Sequence, residues 1–110
     1  MAKLPDRVTK IIDDYLIALN KNNIPIKKAF LFGSYARGSH QEWSDIDIAL
    51  VSDLFVGNRI TDKDKIRKIT LSISSEIEVL PFSPKEFDSR NPLAKEILET
   101  GIKLIDRPFL

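Results

Sequence analysis

Gly33-Ser34-Tyr35-Ala36-Arg37-Gly38, followed after five residues by Ser44-Asp45-Ile46-Asp47-Ile48, is the stretch whose reading decides the fold. Just before it, Ala29-Phe30-Leu31-Phe32 reads as a short buried strand bounded by the glycine. Just after it, Ile46-Asp47-Ile48-Ala49-Leu50-Val51 reads as a second strand. Side chains alternate across a strand, so Asp45 and Asp47 share one face and Ile46, Ile48 and Leu50 the other. Two such carboxylates about 6 Å apart repel by roughly 3 kcal/mol at an effective dielectric of about 20. A divalent cation removes that cost, and paired carboxylates suit hard, oxygen-seeking Mg²⁺ or Mn²⁺.

The glycine-serine turn offers the complementary half of a phosphate site. A strand that turns into a helical segment leaves backbone N–H groups unpaired, and these favour an anion. Gly33 lets the backbone approach a phosphate, Ser34 can donate to a phosphate oxygen, and Arg37 brings a planar fork of donors to the same face. A triphosphate held between these donors and a metal on Asp45 and Asp47 makes chemical sense as a phosphoryl- or nucleotidyl-transfer site.

Together these residues resemble the signature of the minimal nucleotidyltransferases, part of the DNA polymerase β-like superfamily. The resemblance covers the chain from its first helix to its last strand. It implies a small mixed β-sheet with helices packed against it, an α/β fold. It implies catalysis with one or two Mg²⁺ ions and ATP as donor, AMP being transferred to a hydroxyl while pyrophosphate leaves. Carried onto this sequence, Asp45 and Asp47 become catalytic metal ligands, and Gly33, Ser34 and Arg37 bind the nucleotide. The family places a third metal-binding carboxylate on a later strand, and Glu78 in Ile77-Glu78-Val79-Leu80 matches that position, with Glu76 as fallback. Here the sequence departs from the pattern, because the usual residue is aspartate and glutamate is one methylene longer. Glu78 would hold the second ion or take the acceptor's proton. The third strand must then lie beside the second.

The biological role implied by the resemblance is that of an antitoxin. Free-standing domains of this kind are similar to those encoded beside a HEPN-type (higher eukaryotes and prokaryotes nucleotide-binding) toxin, a ribonuclease that they adenylylate on a tyrosine. Two alternatives remain open: a binding module that neutralises or regulates a partner by contact, and a small-molecule nucleotidyltransferase completed by a separate chain.

Length and composition set the frame. The 110 residues suit a single domain over 1–110, with 43% hydrophobic and 30% charged residues. A net charge of +1 makes no global electrostatic case for nucleic acid or a membrane surface. The absence of cysteine excludes disulfides and thiolate metal sites. No apolar run reaches the roughly 20 residues that span a bilayer, and Asp6, Arg7, Lys10, Asp13 and Asp14 interrupt any signal-peptide pattern. The expected location is the cytoplasm.

Around the motif, Val8, Ile11, Ile12, Tyr15, Leu16 and Leu19 mark one face of a helix from Pro5-Asp6 to about Asn20. In the loop 39–43, His40 reads as solvated or capping and Trp43 as packing rather than stacking on nucleotide; Tyr35 could touch nucleotide. Leu54-Phe55-Val56 either packs on a partner, a second copy included, or tucks under its loop. Thr61-Asp62-Lys63-Asp64 reads as an acidic capping box opening a helix with Ile66, Ile69 and Ile73 inward and Lys63, Lys65, Arg67 and Lys68 as a solvated basic face. Ser75 to Pro81 reads as the third strand, and Ser83-Pro84-Lys85-Glu86 as a second capping box. Asn91-Pro92 begins a helix closed by Gly101 as a left-handed cap. A last strand, Ile102 to Ile105, precedes a tail from Asp106.

Overall fold

The motif strands form the middle of the sheet. In the computed structural model, which describes residues 4–106, β1 (Lys28–Phe32) is flanked by β2 (Ile46–Val51) and β4 (Ile102–Asp106), both antiparallel to it. β3 (Ile77–Phe82) runs parallel to β2 at the edge, giving the order β3-β2-β1-β4. A parallel pair needs a crossover, and α3 (Arg59–Ile73) supplies it. The other helices are α1 (Asp6–Lys21), the short α2 (Gly33–Arg37) and α4 (Pro92–Thr100). The expected mixed α/β sheet, with the third strand beside the second, is what forms.

Both faces of the sheet are covered. Val8, Ile12, Tyr15 and Leu19 of α1 and Ile66 of α3 pack on Leu31, Ile46, Ile48, Leu50, Ile77 and Val79. On the opposite face, Ala94 and Ile97 of α4 join Phe87 against Phe30, Ala49, Val51 and Phe82. Burial on both sides explains why β2 reads as a nearly continuous apolar run. Asp47 is the one residue of that strand that is not buried.

Several local expectations change. α3 begins at Arg59, not at the Thr61 box, because the Asn58 side chain caps it by accepting from the Thr61 N–H at 3.0 Å. Asp62 instead turns inward, only 1% exposed, and accepts from the backbone N–H groups of Val56 and Gly57, each at 3.0 Å. Phe55 tucks into the core, whereas Leu54 and Val56 stay exposed. The Ser83 N–H reaches the Glu86 carboxylate at 3.3 Å, but the chain makes one turn there and no helix, since Phe87 must enter the core. Asn91 caps α4 as expected, accepting from Leu93 and Ala94. Gly101 is extended, at φ −79°, rather than left-handed. Its glycine identity follows from crowding: a Cβ there would lie 2.6 Å from the Ile97 carbonyl oxygen. The tail beyond Asp106 lies outside the described residues.

Candidate active site

Gly33 ends β1 with φ +72°, a backbone conformation that residues with a Cβ rarely adopt. The space a Cβ would fill is taken by Asp47, whose Oδ2 lies 2.1 Å from that position. The glycine thus opens a cradle in which a carboxylate of β2 rests against the turn. From this turn α2 carries Ser34, half-buried, and Arg37, exposed in its last turn.

Strand register places the acids. Asp47 stands opposite Phe32 in the antiparallel ladder and opposite Glu78 in the parallel one. Asp45 lies one residue before β2 and is exposed. The charges of its neighbours act on Asp47. Its carboxyl is held above the ordinary range, first by burial, then by the charges of Asp45 and Glu78, while Arg37 pulls it down. Gly33, Arg37, Asp45, Asp47 and Glu78 therefore gather at one end of the sheet.

Glu78 belongs to this row but is otherwise engaged. The Lys63 ammonium of α3 donates to its Oε1 at 2.9 Å. Among the described residues, no three His, Cys, Asp or Glu side chains converge as a group ready to hold a metal ion. Asp45 and Asp47 still fit a divalent cation: they are hard oxygen donors, and the burial and like-charge repulsion that raise the Asp47 carboxyl are both offset by a positive charge beside it. The fallback Glu76 is not brought in; it pairs with Arg7 of α1 at 2.5 Å.

The loop and turn aromatics sit differently from expectation. Tyr35 is buried, 2% exposed, and cannot present its ring to a nucleotide. It stacks on His40 with ring centroids 4.4 Å apart. Trp43, expected to pack, is 78% exposed. Sequence reasoning also missed Lys63. Nothing in a run of helical lysines marks which one reaches a carboxylate 15 positions away.

Known proteins resemble the chain in sequence and in fold. A family model described as a nucleotidyltransferase domain matches residues 12–104. The chain is 31% identical over 105 residues, 89% of its length and 71% of the relative's, to "Putative protein adenylyltransferase MJ1305" of Methanocaldococcus jannaschii. It is 52% identical over 46 residues, 41% of its length, to "Putative protein adenylyltransferase MJ0604" of the same organism, and that match spans 46% of the relative. In fold it is similar to a crystal structure of a toxin-antitoxin with AMP-PNP, at a TM-score of 0.61 and 24% identity, covering 86% of this chain and 73% of that one. No helix among the described residues is long and apolar enough to cross a membrane. From the match over nearly its whole length, and from strands that set Asp47 between a glycine turn and Glu78, the chain belongs to the nucleotidyltransferase domain family.

Proposed function

We propose that this chain transfers AMP from ATP to a hydroxyl, a tyrosine of a HEPN-type toxin, and so acts as the antitoxin of a cytoplasmic pair. The observation that carries the reading is the contact between the Gly33 turn and the Asp47 carboxylate, with Glu78 aligned across the parallel ladder. The relatives' names as protein adenylyltransferases support a protein acceptor, and the toxin-antitoxin with AMP-PNP supports the partner class.

In this reading Ser34 and Arg37 bind the β- and γ-phosphates, and the open backbone at Gly33 lets them approach closely. Asp45 and Asp47 would hold Mg²⁺, with Glu78 as third ligand or as base. When bound, the ion supplies charge neutralisation at the triphosphate. The acceptor oxygen attacks the α-phosphorus: an O–P bond forms, the bond from the α-phosphorus to the α,β-bridging oxygen breaks, and pyrophosphate leaves with that electron pair. Where Glu78 acts as base, it takes the hydroxyl proton.

Titration calorimetry of ATP with and without Mg²⁺, repeated on Asp45→Asn/Asp47→Asn, tests the site. Mg²⁺-dependent heat that disappears in the double variant is the expected result. Absence of heat with ATP, GTP, CTP and UTP under every condition overturns the catalytic reading. One observation favours a second reading, a contact module of weak catalysis: the third carboxylate is tied to Lys63. Label from α-³²P-ATP appearing on the partner separates the two, since a contact module neutralises without leaving it.

A further inference from the structure

We propose that Lys63 is a positioning residue for Glu78. Its ammonium takes a cation's place at the third carboxylate, so a divalent ion binds first on Asp45 and Asp47 alone. Glu78 joins only when Lys63 is drawn away. The inference rests on the nucleotidyl-transfer reading of the same site.

Three observations carry it. The Lys63 ammonium lies 2.9 Å from Glu78 Oε1; it draws the side chain towards α3 and withdraws charge from the carboxylate, which makes it a poorer ligand for a metal ion. Glu78 is aligned with Asp47 by the strand ladder and close enough for its charge to act there, yet no trio of acids converges among the described residues. The contact is also selective. Of the neighbouring cations on α3, Lys65 reaches the Leu54 carbonyl and Asp62, and Arg67 pairs with Asp64. Lys63 alone of these turns to the candidate site.

Glutamate at position 78 fits this arrangement. Its extra methylene lets the carboxylate extend from the exposed strand edge towards α3. The pair lines a groove of about 290 Å³ together with Arg67, Thr70, Leu71, Ile77 and Val79, between α3 and β3. An anionic group of an acceptor lying in that groove meets the Lys63 ammonium and the Arg67 side chain, and its pairing with Lys63 releases Glu78. The ammonium and the divalent ion draw on the charge of one carboxylate, so each weakens the other's hold on it. Removing the ammonium must therefore strengthen metal binding, and only while Glu78 is present.

The test is Mn²⁺ binding to the whole chain, read from the electron paramagnetic resonance signal of unbound Mn²⁺. Exposed ion pairs are worth a few tenths to about 1 kcal/mol, so Lys63→Met should bind Mn²⁺ about two- to fivefold more tightly. Lys63→Gln, neutral and hydrogen-bonding, should do likewise and serves if methionine disturbs α3. Lys63→Arg keeps the pair and should match the unsubstituted chain. In a Glu78→Gln background the Lys63→Met gain should vanish, as a double-mutant cycle requires of a coupled pair. Lys68→Met, on the same helix, controls for loss of charge alone and should change nothing. An equal gain with and without Glu78, or no gain from either neutral substitution, overturns the proposal while leaving the metal site in place. Failure of Mn²⁺ to bind any variant, or binding indifferent to Asp45→Asn/Asp47→Asn, overturns the nucleotidyl-transfer reading and the Lys63 role with it.

Discussion

Gly33 and Asp47 form one unit, and a change at either is felt at the other. Gly33→Ala places a Cβ at a left-handed φ, at a cost of roughly 1–2 kcal/mol, and drives it onto the Asp47 carboxylate, 2.1 Å away. That carboxylate is the end of a movable side chain, so the domain should still fold. We expect urea unfolding to show this modest loss and calorimetry to show ATP binding abolished. Asp47→Asn acts in the opposite direction on stability. Because burial and the charges of Asp45 and Glu78 raise its carboxyl above the ordinary 3.8, folding favours the protonated form. The stability linked to that proton is complete below the unfolded value and is lost as pH rises through the folded one. Asp47→Asn should thus be more stable than the unsubstituted chain at pH 7, and the difference should close as pH falls below 3.8. Denaturation midpoints at the two pH values read this directly.

Among the elements, α3 bears the most on the site, because it carries the chain from β2 to β3 and so sets the parallel register of Asp47 and Glu78. Its anchor is Asp62, buried and accepting from two N–H groups of the preceding loop, with Lys65 at 3.3 Å as its cation. Asp62→Ala strands those N–H groups without an acceptor, which costs about 2–4 kcal/mol. Hydrogen exchange should quicken at Val56 and Gly57, while Mg²⁺-dependent ATP binding persists if folding does. Retained protection at both amides would show that Asp62 does not hold this loop. The same element shows where local reading stopped. Thr61 to Asp64 has the composition of a capping box, but the Asn58 side chain starts the helix and frees Asp62 to point inward. Both choices satisfy local chemistry, and the buried bonds from the Val56 and Gly57 N–H groups of the loop decide between them.

At the scale of the whole molecule, α1 and α3 are tied across the sheet face by the Tyr15 hydroxyl and Thr70 Oγ1, 2.7 Å apart. Thr70 Oγ1 already donates to the Ile66 carbonyl, so Tyr15 is the donor to it. Burial pushes the Tyr15 hydroxyl from 10.0 up to about 12. A raised value means stability held below the unfolded pKa and lost as pH climbs through the folded one. The domain should lose stability between about pH 10 and 12 as that buried phenol is forced to ionise. Tyr15→Phe should cost about 1 kcal/mol at neutral pH and should lack this part of the alkaline descent. Equal alkaline profiles for the two proteins would place the titration elsewhere.

What the sequence determined by itself was the family and the order of elements. A glycine at a strand end, a serine beside it, and two acids alternating with apolar residues leave few other uses, because backbone freedom and period-two alternation act locally. The helix faces of α1 and the Asn91-Pro92 start of α4 were legible for the same reason. Only the tertiary structure decided which charges meet. Lys63 rather than any neighbouring lysine reaches Glu78, Glu76 is drawn off by Arg7, Tyr35 goes inward, and Trp43 is left in solvent. Gly101, too, owes its identity to a carbonyl four positions back and to β1, not to its own torsion angles. Such pairings depend on where a helix axis lies against a strand edge, a distance set by the packed core as a whole and carried by no short stretch of sequence.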